Sequence, residues 1–177
     1  MLFPSFVFSA ALLAIAGSAT SAQDAAQPGF QFRADGTYEA RVTRVTDGDT
    51  LWVKPLTGGK YRKLRIDGLD APEICQDGGP ASKAALSARV LEKVVVVRER
   101  RRDDYGRPLV KLQLGGEDVA GWLVSEGQAW SYHWRHSNGP YAEQEDQARK
   151  SRKGLFAQER PEVPRDFRRR NGPCPWP

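Results

Sequence analysis

Three short runs of β-forming residues, separated by tight turn residues, constrain the fold of this chain more than any other feature. YEARVTRV ends before Asp47, Gly48 and Asp49, TLWVKPL follows them, and Gly58 and Gly59 come before YRKLRID. Alternating or clustered β-formers with turns of that length predict a three-stranded antiparallel meander. The period then changes. In PASKAALSARVLEKV, Ala81, Ala84, Ala85, Ala88, Leu91 and Val94 fall at helical spacing behind Pro80, which suits a first helical turn, so a helix is expected over about 80–93. VVVVRER and PLVKLQL read as two further strands flanking the charged loop RRDDYGR. EDVAGWLVSEG and YAEQEDQARKSRKG read as two more helices, each closed by a glycine, Gly127 and Gly154. The order βββαββαα does not build an alternating βαβ sheet. It predicts an α+β fold, a small closed or nearly closed five-stranded barrel with three helices packed at one end.

At 177 residues the chain has room for one ordinary domain. That domain is placed at 37–157, after a flexible arm at 23–36 and before a tail at 158–177 that is rich in Pro and Arg and so cannot continue a helix. The first 22 residues hold no Lys, Arg, Asp or Glu, run apolar through FVFSAALLAIA and end in GSATSA. This is the layout of a signal peptide cleaved after Ala22, and it predicts an exported protein, periplasmic or extracellular. The alternative is an uncleaved anchor. Against it, the apolar run is shorter than the roughly 20 residues of a spanning helix, and Ser5, Ser9 and Gly17 interrupt it. No stable membrane association is expected once the leader is removed, and the mature protein is expected to be a monomer.

All the charge therefore lies in the mature chain, and its net +5 with a pI near 9.4 favours an anionic partner such as nucleic acid. The chain has two cysteines, Cys75 and Cys174. In an exported protein an even count invites a disulfide, which here would tie the region near residue 73 to the tail. Two free thiols are the alternative.

Charged clusters sit where the expected strands end: Asp47 and Asp49, then Arg65, Asp67, Asp70 and Glu73 in LRIDGLDAPE, then Arg107 in DDYGRP. In a strand, Leu64 and Ile66 share one face and Arg65 and Asp67 the other. Gly68 permits a sharp bend, and Pro72 keeps Ala71 extended. Asp70, the Ala71 carbonyl and Glu73 are then aimed outward, and the DGD turn brings Asp49 alongside. Mixed oxygen donors without Cys or His suit a hard divalent cation, Ca²⁺ ahead of Mg²⁺. Arg65 and Arg107 have the fork geometry to hold phosphate oxygens, and Glu73 can orient or deprotonate a water. Taken singly, each arginine reads better as a surface residue and DGD as a plain hairpin turn.

DGDT, LRxxGxDAPE and DxYGR, in this order and on this strand pattern, resemble the staphylococcal nuclease family over about residues 37–157. The resemblance implies a Greek-key barrel of the oligonucleotide-binding type and a Ca²⁺-dependent phosphodiesterase acting on DNA and RNA, leaving 3′-phosphate ends. It further implies that Asp49 and Asp70 ligate calcium with the main-chain oxygen of Ala71. Arg65 and Arg107 would bind the scissile phosphate, Glu73 would position the attacking water, and Tyr105 would lie on the substrate side. Asp104 stands where the type member carries a lysine, and the loop ICQDGG is shorter than its counterpart.

In QAWSYHW, Trp130, Tyr132 or Trp134 could each stack on a base, with Tyr132 preferred and core packing the alternative for Trp130. His133 and His136 lie beside the loop residues SNGP and read as solvent-exposed. RERRR and the tail arginines Arg160, Arg165, Arg168, Arg169 and Arg170 would either extend a phosphate footprint or keep the surface solvated. The expected function is an exported, sugar-nonspecific nuclease for single-stranded or unwound nucleic acid. Its rivals are a non-catalytic nucleic-acid-binding module of the same fold and a leader-anchored interaction protein.

Overall fold

The computed structural model describes residues 32–175, so the leader at 1–22 and the arm up to residue 31 lie outside the described residues. Three strands, β1 (Thr37–Val45), β2 (Thr50–Pro55) and β3 (Arg62–Ile66), form the expected meander. A two-residue strand β4 (Leu69–Asp70) and helix α1 (Gly79–Val90) follow. Next come β5 (Val94–Arg102), β6 (Pro108–Leu114), β7 (Glu117–Asp118) and helix α2 (Val119–Ser125). The chain continues through β8 (Trp130–Ser131), helix α3 (Ala142–Lys150), a 3₁₀ turn at Gly154–Ala157 and helix α4 (Pro164–Asn171).

The main sheet runs β3-β2-β1-β5-β6-β7 and closes on itself because β3 also pairs in parallel with β6, Arg65 opposite Leu109. Five long strands thus make the closed barrel expected from the strand pattern, and closure removes the sheet edges that would otherwise be exposed. The period-two pattern points Val42, Leu51, Val53, Leu64, Ile66, Val97, Val110 and Leu112 into the barrel, all fully buried. Leu86 and Val90 of α1 and Leu123 and Val124 of α2 complete that core. Each such aliphatic side chain contributes about 1.5–3 kcal/mol by leaving water. No helix among the described residues is long and apolar enough to cross a membrane.

Two features depart from the sequence reading. The short strands β4 and β8 pair with each other, Asp70 opposite Trp130, outside the barrel sheet. The tail at 158–177 also contains a helix, α4, where none was expected. The prolines that argued against a helix are compatible with one because Pro164 stands in its first turn, where no N–H is required. Asp166 near its start and Arg168, Arg169 and Arg170 near its end complement the helix dipole. Cys75 and Cys174 are joined by a disulfide that spans 99 residues of sequence. Just before α4, Val163 packs on a small cluster of Trp130, Ala148, Leu155 and Phe156.

Candidate active site

LRIDGLDAPE leaves the barrel at the end of β3. Leu64 and Ile66 are buried in the core, which turns Arg65 to the opposite face. Gly68, at φ +89°, makes the bend into β4, and a Cβ there would come within 2.9 Å of Pro140 and Tyr141. The DGD turn is stitched to the same strand end by the Ile66 N–H, which donates to the Asp49 carbonyl at 2.8 Å. Its Gly48 lies so close to α1 that a Cβ would stand 2.0 Å from Ser82 Oγ and 2.7 Å from Ala71 Cβ. Packing on both sides therefore fixes where Asp49 can point.

Arg65 joins the two aspartates. One guanidinium nitrogen donates to Asp49 Oδ1 at 2.8 Å, and the other lies 2.8 Å from Asp49 Oδ2 and 3.0 Å from Asp70 Oδ1. Asp49 also accepts from the Thr50 hydroxyl at 2.9 Å and the Ala71 N–H at 3.5 Å. Both carboxylates are nearly inaccessible, Asp49 3% and Asp70 7% exposed. Burial opposes the Arg65 charge, but Asp49, Asp70 and Asp47 together outweigh it and hold the guanidinium above its ordinary value. Asp70 responds oppositely: burial lifts its carboxyl above the usual range even though Arg168 and Arg65 both pull it down. Burial first, and then the Asp49 charge, lift Asp47 in the same sense.

Glu73 sits at the start of the loop to α1, its N–H donating to Gln76 Oε1 at 3.1 Å. Its carboxylate meets Arg168 of α4, whose Nη1 donates to Glu73 Oε1 at 2.7 Å and to Asp70 Oδ1 at 3.3 Å. The Nη2 of Arg168 donates to Asp70 Oδ2 at 3.1 Å. Asp49, Arg65, Asp70 and Glu73 are thus brought into one hydrogen-bonded cluster, with Ala71 buried beside it.

Arg107 is held separately. Its Nε donates to Asp103 Oδ2 at 2.6 Å, and its guanidinium lies 5.5 Å from the centre of the Tyr105 ring, which is 85% exposed. It precedes by two residues Leu109, the register partner of Arg65. Tyr132 is partly exposed and tied to the site segment, its N–H donating to the Gly68 carbonyl at 2.9 Å. Trp134 is exposed as well, whereas Trp130 is buried edge-on against Phe156 and is removed from the set of base-stacking candidates. His133 and His136 are exposed, and His133 lies 3.5 Å from Glu145.

The donor chemistry fits a hard cation. Asp49, Asp70 and Glu73 supply carboxylate oxygens on adjoining segments, with no Cys or His among them. Among the described residues no group of three or more His, Cys, Asp or Glu side chains is arranged to hold a metal. A metal would therefore rest on the Asp49 and Asp70 carboxylates, with main-chain oxygen such as that of Ala71 and water or phosphate filling the shell, which Ca²⁺ tolerates.

Arg168 is the residue whose place the sequence reading missed. The sequence sets it among the tail arginines, as a phosphate contact or a solvating charge, and nothing local to FRRR distinguishes it from its neighbours. The usable signal was the cysteine pair. A Cys75–Cys174 bond carries the tail to within a few residues of Glu73.

Comparison with known proteins gives one consistent result. The profile of the family described as staphylococcal nuclease homologue matches residues 63–158. An uncharacterized endonuclease of Haemophilus influenzae is 35% identical over 131 residues, 73% of this chain and 72% of its own length. An uncharacterized endonuclease of Escherichia coli O157:H7 is 34% identical over 131 residues, 73% of this chain and 84% of its own. A micrococcal nuclease of Shigella flexneri is 31% identical over 143 residues, 75% and 81% of the two chains. The matched segment begins inside β3, one residue before LRIDGLDAPE, and carries the whole cluster except Asp47, Asp49 and Arg168. With its five-stranded barrel and this strand-end cluster, the chain belongs to the staphylococcal nuclease homologues.

Proposed function

We propose that this chain is an exported, Ca²⁺-dependent nuclease that hydrolyses phosphodiester bonds of DNA and RNA in single-stranded or unwound form. The observation that carries the reading is the shared guanidinium of Arg65 between two buried aspartates, with Glu73 on the same short segment. Relatives named endonuclease and micrococcal nuclease support it. A barrel that meets nucleic acid through arginines and exposed rings contacts mainly the backbone, which accounts for low base and sugar selectivity. The disulfide and the charge-free leader sequence both support export to an oxidising compartment, periplasmic or extracellular.

The roles follow from the chemistry of each group. A guanidinium carries five N–H donors in a planar fork, so Arg65 can hold phosphate oxygens as a permanent positive charge. Arg107, braced by Asp103, supplies a second permanent positive charge as negative charge grows on the phosphate. Glu73 orients a water and accepts its proton. The water oxygen bonds to phosphorus, the bond from phosphorus to the 5′ oxygen breaks, and that oxygen takes a proton from solvent to leave as a 5′-hydroxyl. The other product ends in a 3′-phosphate. Bound at Asp49 and Asp70, Ca²⁺ would supply Lewis-acid polarisation of the phosphate. Tyr105, beside Arg107, and Tyr132, bonded to Gly68, are both exposed and serve as contact surfaces for the strand.

The reading is tested by digesting single-stranded DNA with the purified protein in Ca²⁺, in Mg²⁺ and in chelator, then identifying the ends formed. Cleavage that requires Ca²⁺ and leaves 3′-phosphates supports it. Binding without cleavage in every metal would replace it with a nucleic-acid-binding module.

A further inference from the structure

The C-terminal helix α4 places a cation on the carboxylates that the proposed function gives to the metal and to the attacking water. Arg168 donates to both oxygens of Asp70, at 3.3 and 3.1 Å, and to Glu73 at 2.7 Å. We propose that Arg168 is a tethered internal cation of the site that competes with the divalent metal for Asp70 and holds Glu73 until it is displaced. This rests on the reading of Asp49 and Asp70 as metal carboxylates.

Three observations carry the inference. The first is charge. Ca²⁺ ligated by Asp70 at about 2.3–2.6 Å would stand at contact distance from a guanidinium bonded to the same two oxygens, and the two cations repel. The second is attachment. Cys174 is bonded to Cys75, two residues beyond Glu73, and Gln76 Nε2 donates to the Glu162 carbonyl at 2.6 Å. Gln158 Nε2 donates to Asp77 at 2.7 Å. Contact between Arg168 and the site is therefore intramolecular and favoured by a high effective concentration.

The third is the low cost of release. Within α4 only Pro164 is buried, and the Arg168 side chain is 38% exposed. The helix can lift from the site without opening the barrel core. Its other arginines turn away, Arg169 to Asp166 at 3.1 Å and Arg170 to Glu162 at 2.5 Å. Arg168 alone of the three consecutive arginines is paired with the site carboxylates.

The test is the Ca²⁺ affinity of the metal-free protein, read by competition with a fluorescent calcium indicator and not by cleavage. Arg168→Ala and Arg168→Gln, each checked for native circular dichroism, are expected to lower the Kd by up to about fivefold, the scale of a partly exposed ion pair. Cys75→Ser with Cys174→Ser is expected to move the Kd part of the way in the same direction. An unchanged Kd in the Arg168 variants overturns the competition. A raised Kd overturns it too and would make Arg168 a residue that orders Asp70 for the metal. Tighter binding in the Arg168 variants with an unchanged Kd in the serine pair overturns the role of the tether. Absence of Ca²⁺ binding in wild type and all variants overturns the metal assignment and this inference with it.

Discussion

Asp49 and Asp70 face the same guanidinium from two different segments, so the substitution at either one tests a specific share of the site. Asp49→Asn keeps the shape and the Thr50 contact but removes a charge. The Ca²⁺ concentration for half-maximal cleavage should rise about tenfold or more, as expected when one of two carboxylates is lost to a hard cation. An unchanged requirement in an activity titration would remove Asp49 from the ligand set. Asp103 is a different case. Burial raises its carboxyl, but the Arg107 backbone N–H and guanidinium outweigh burial and hold it below its ordinary value. A depressed folded value means the stabilisation is present above the unfolded value of about 3.9 and is lost as the pH falls through the folded one. Asp103→Asn should therefore lower stability by a constant amount from about pH 7 to pH 5, and the difference should fade below about pH 4. Urea unfolding at each pH checks this, and a gap that persists in acid would contradict it. At this scale the sequence was informative where contacts are local. Arg65, Asp70 and Glu73 lie within nine residues of each other, and strand alternation with one bend is enough to aim them. Arg168 was hidden because its contact with Asp70 spans 98 residues.

The elements differ in how firmly they hold the site. The DGD turn is wedged between β3 and α1, with Gly48 against Ser82 and Ala71. Gly48→Ala should cost about 1–3 kcal/mol through overpacking and displace Asp49 from Arg65. A urea midpoint equal to wild type would show that α1 yields more easily than the contact distances suggest. Helix α4 is at the other extreme, with only Pro164 buried. In the Cys75→Ser with Cys174→Ser protein, amide exchange over 164–171 should rise sharply while β1 to β6 keep their protection. Equal protection in both proteins would mean that Val163 and the Gln76–Glu162 bond suffice to hold the helix. The five strands and three helices of the barrel were legible from period changes and glycine stops. α4 was not, because a Pro- and Arg-rich run gives no apolar period, and its helix is stabilised by charge and by docking to the body.

The whole molecule combines a rigid closed barrel with a tethered cationic tail. The chain carries net charge +5, and outward arginines lie along the end of β5. Binding of single-stranded DNA should weaken as salt rises, with a slope of log K on log salt of about −0.7 for each phosphate contact. A salt-independent affinity would show that the basic surface plays no part in holding substrate. The central claim is narrower: Glu73, on the strand end that carries Arg65 and Asp70, acts in the chemical step. The most direct measurement is single-turnover cleavage of labelled single-stranded DNA, with enzyme in excess and Ca²⁺ saturating, comparing wild type with Glu73→Gln. The account predicts a rate lower by about a hundredfold or more with substrate affinity little changed, as for loss of a group that moves a proton in the transition state. Rates within a few fold of each other in two folded, substrate-bound proteins would contradict it.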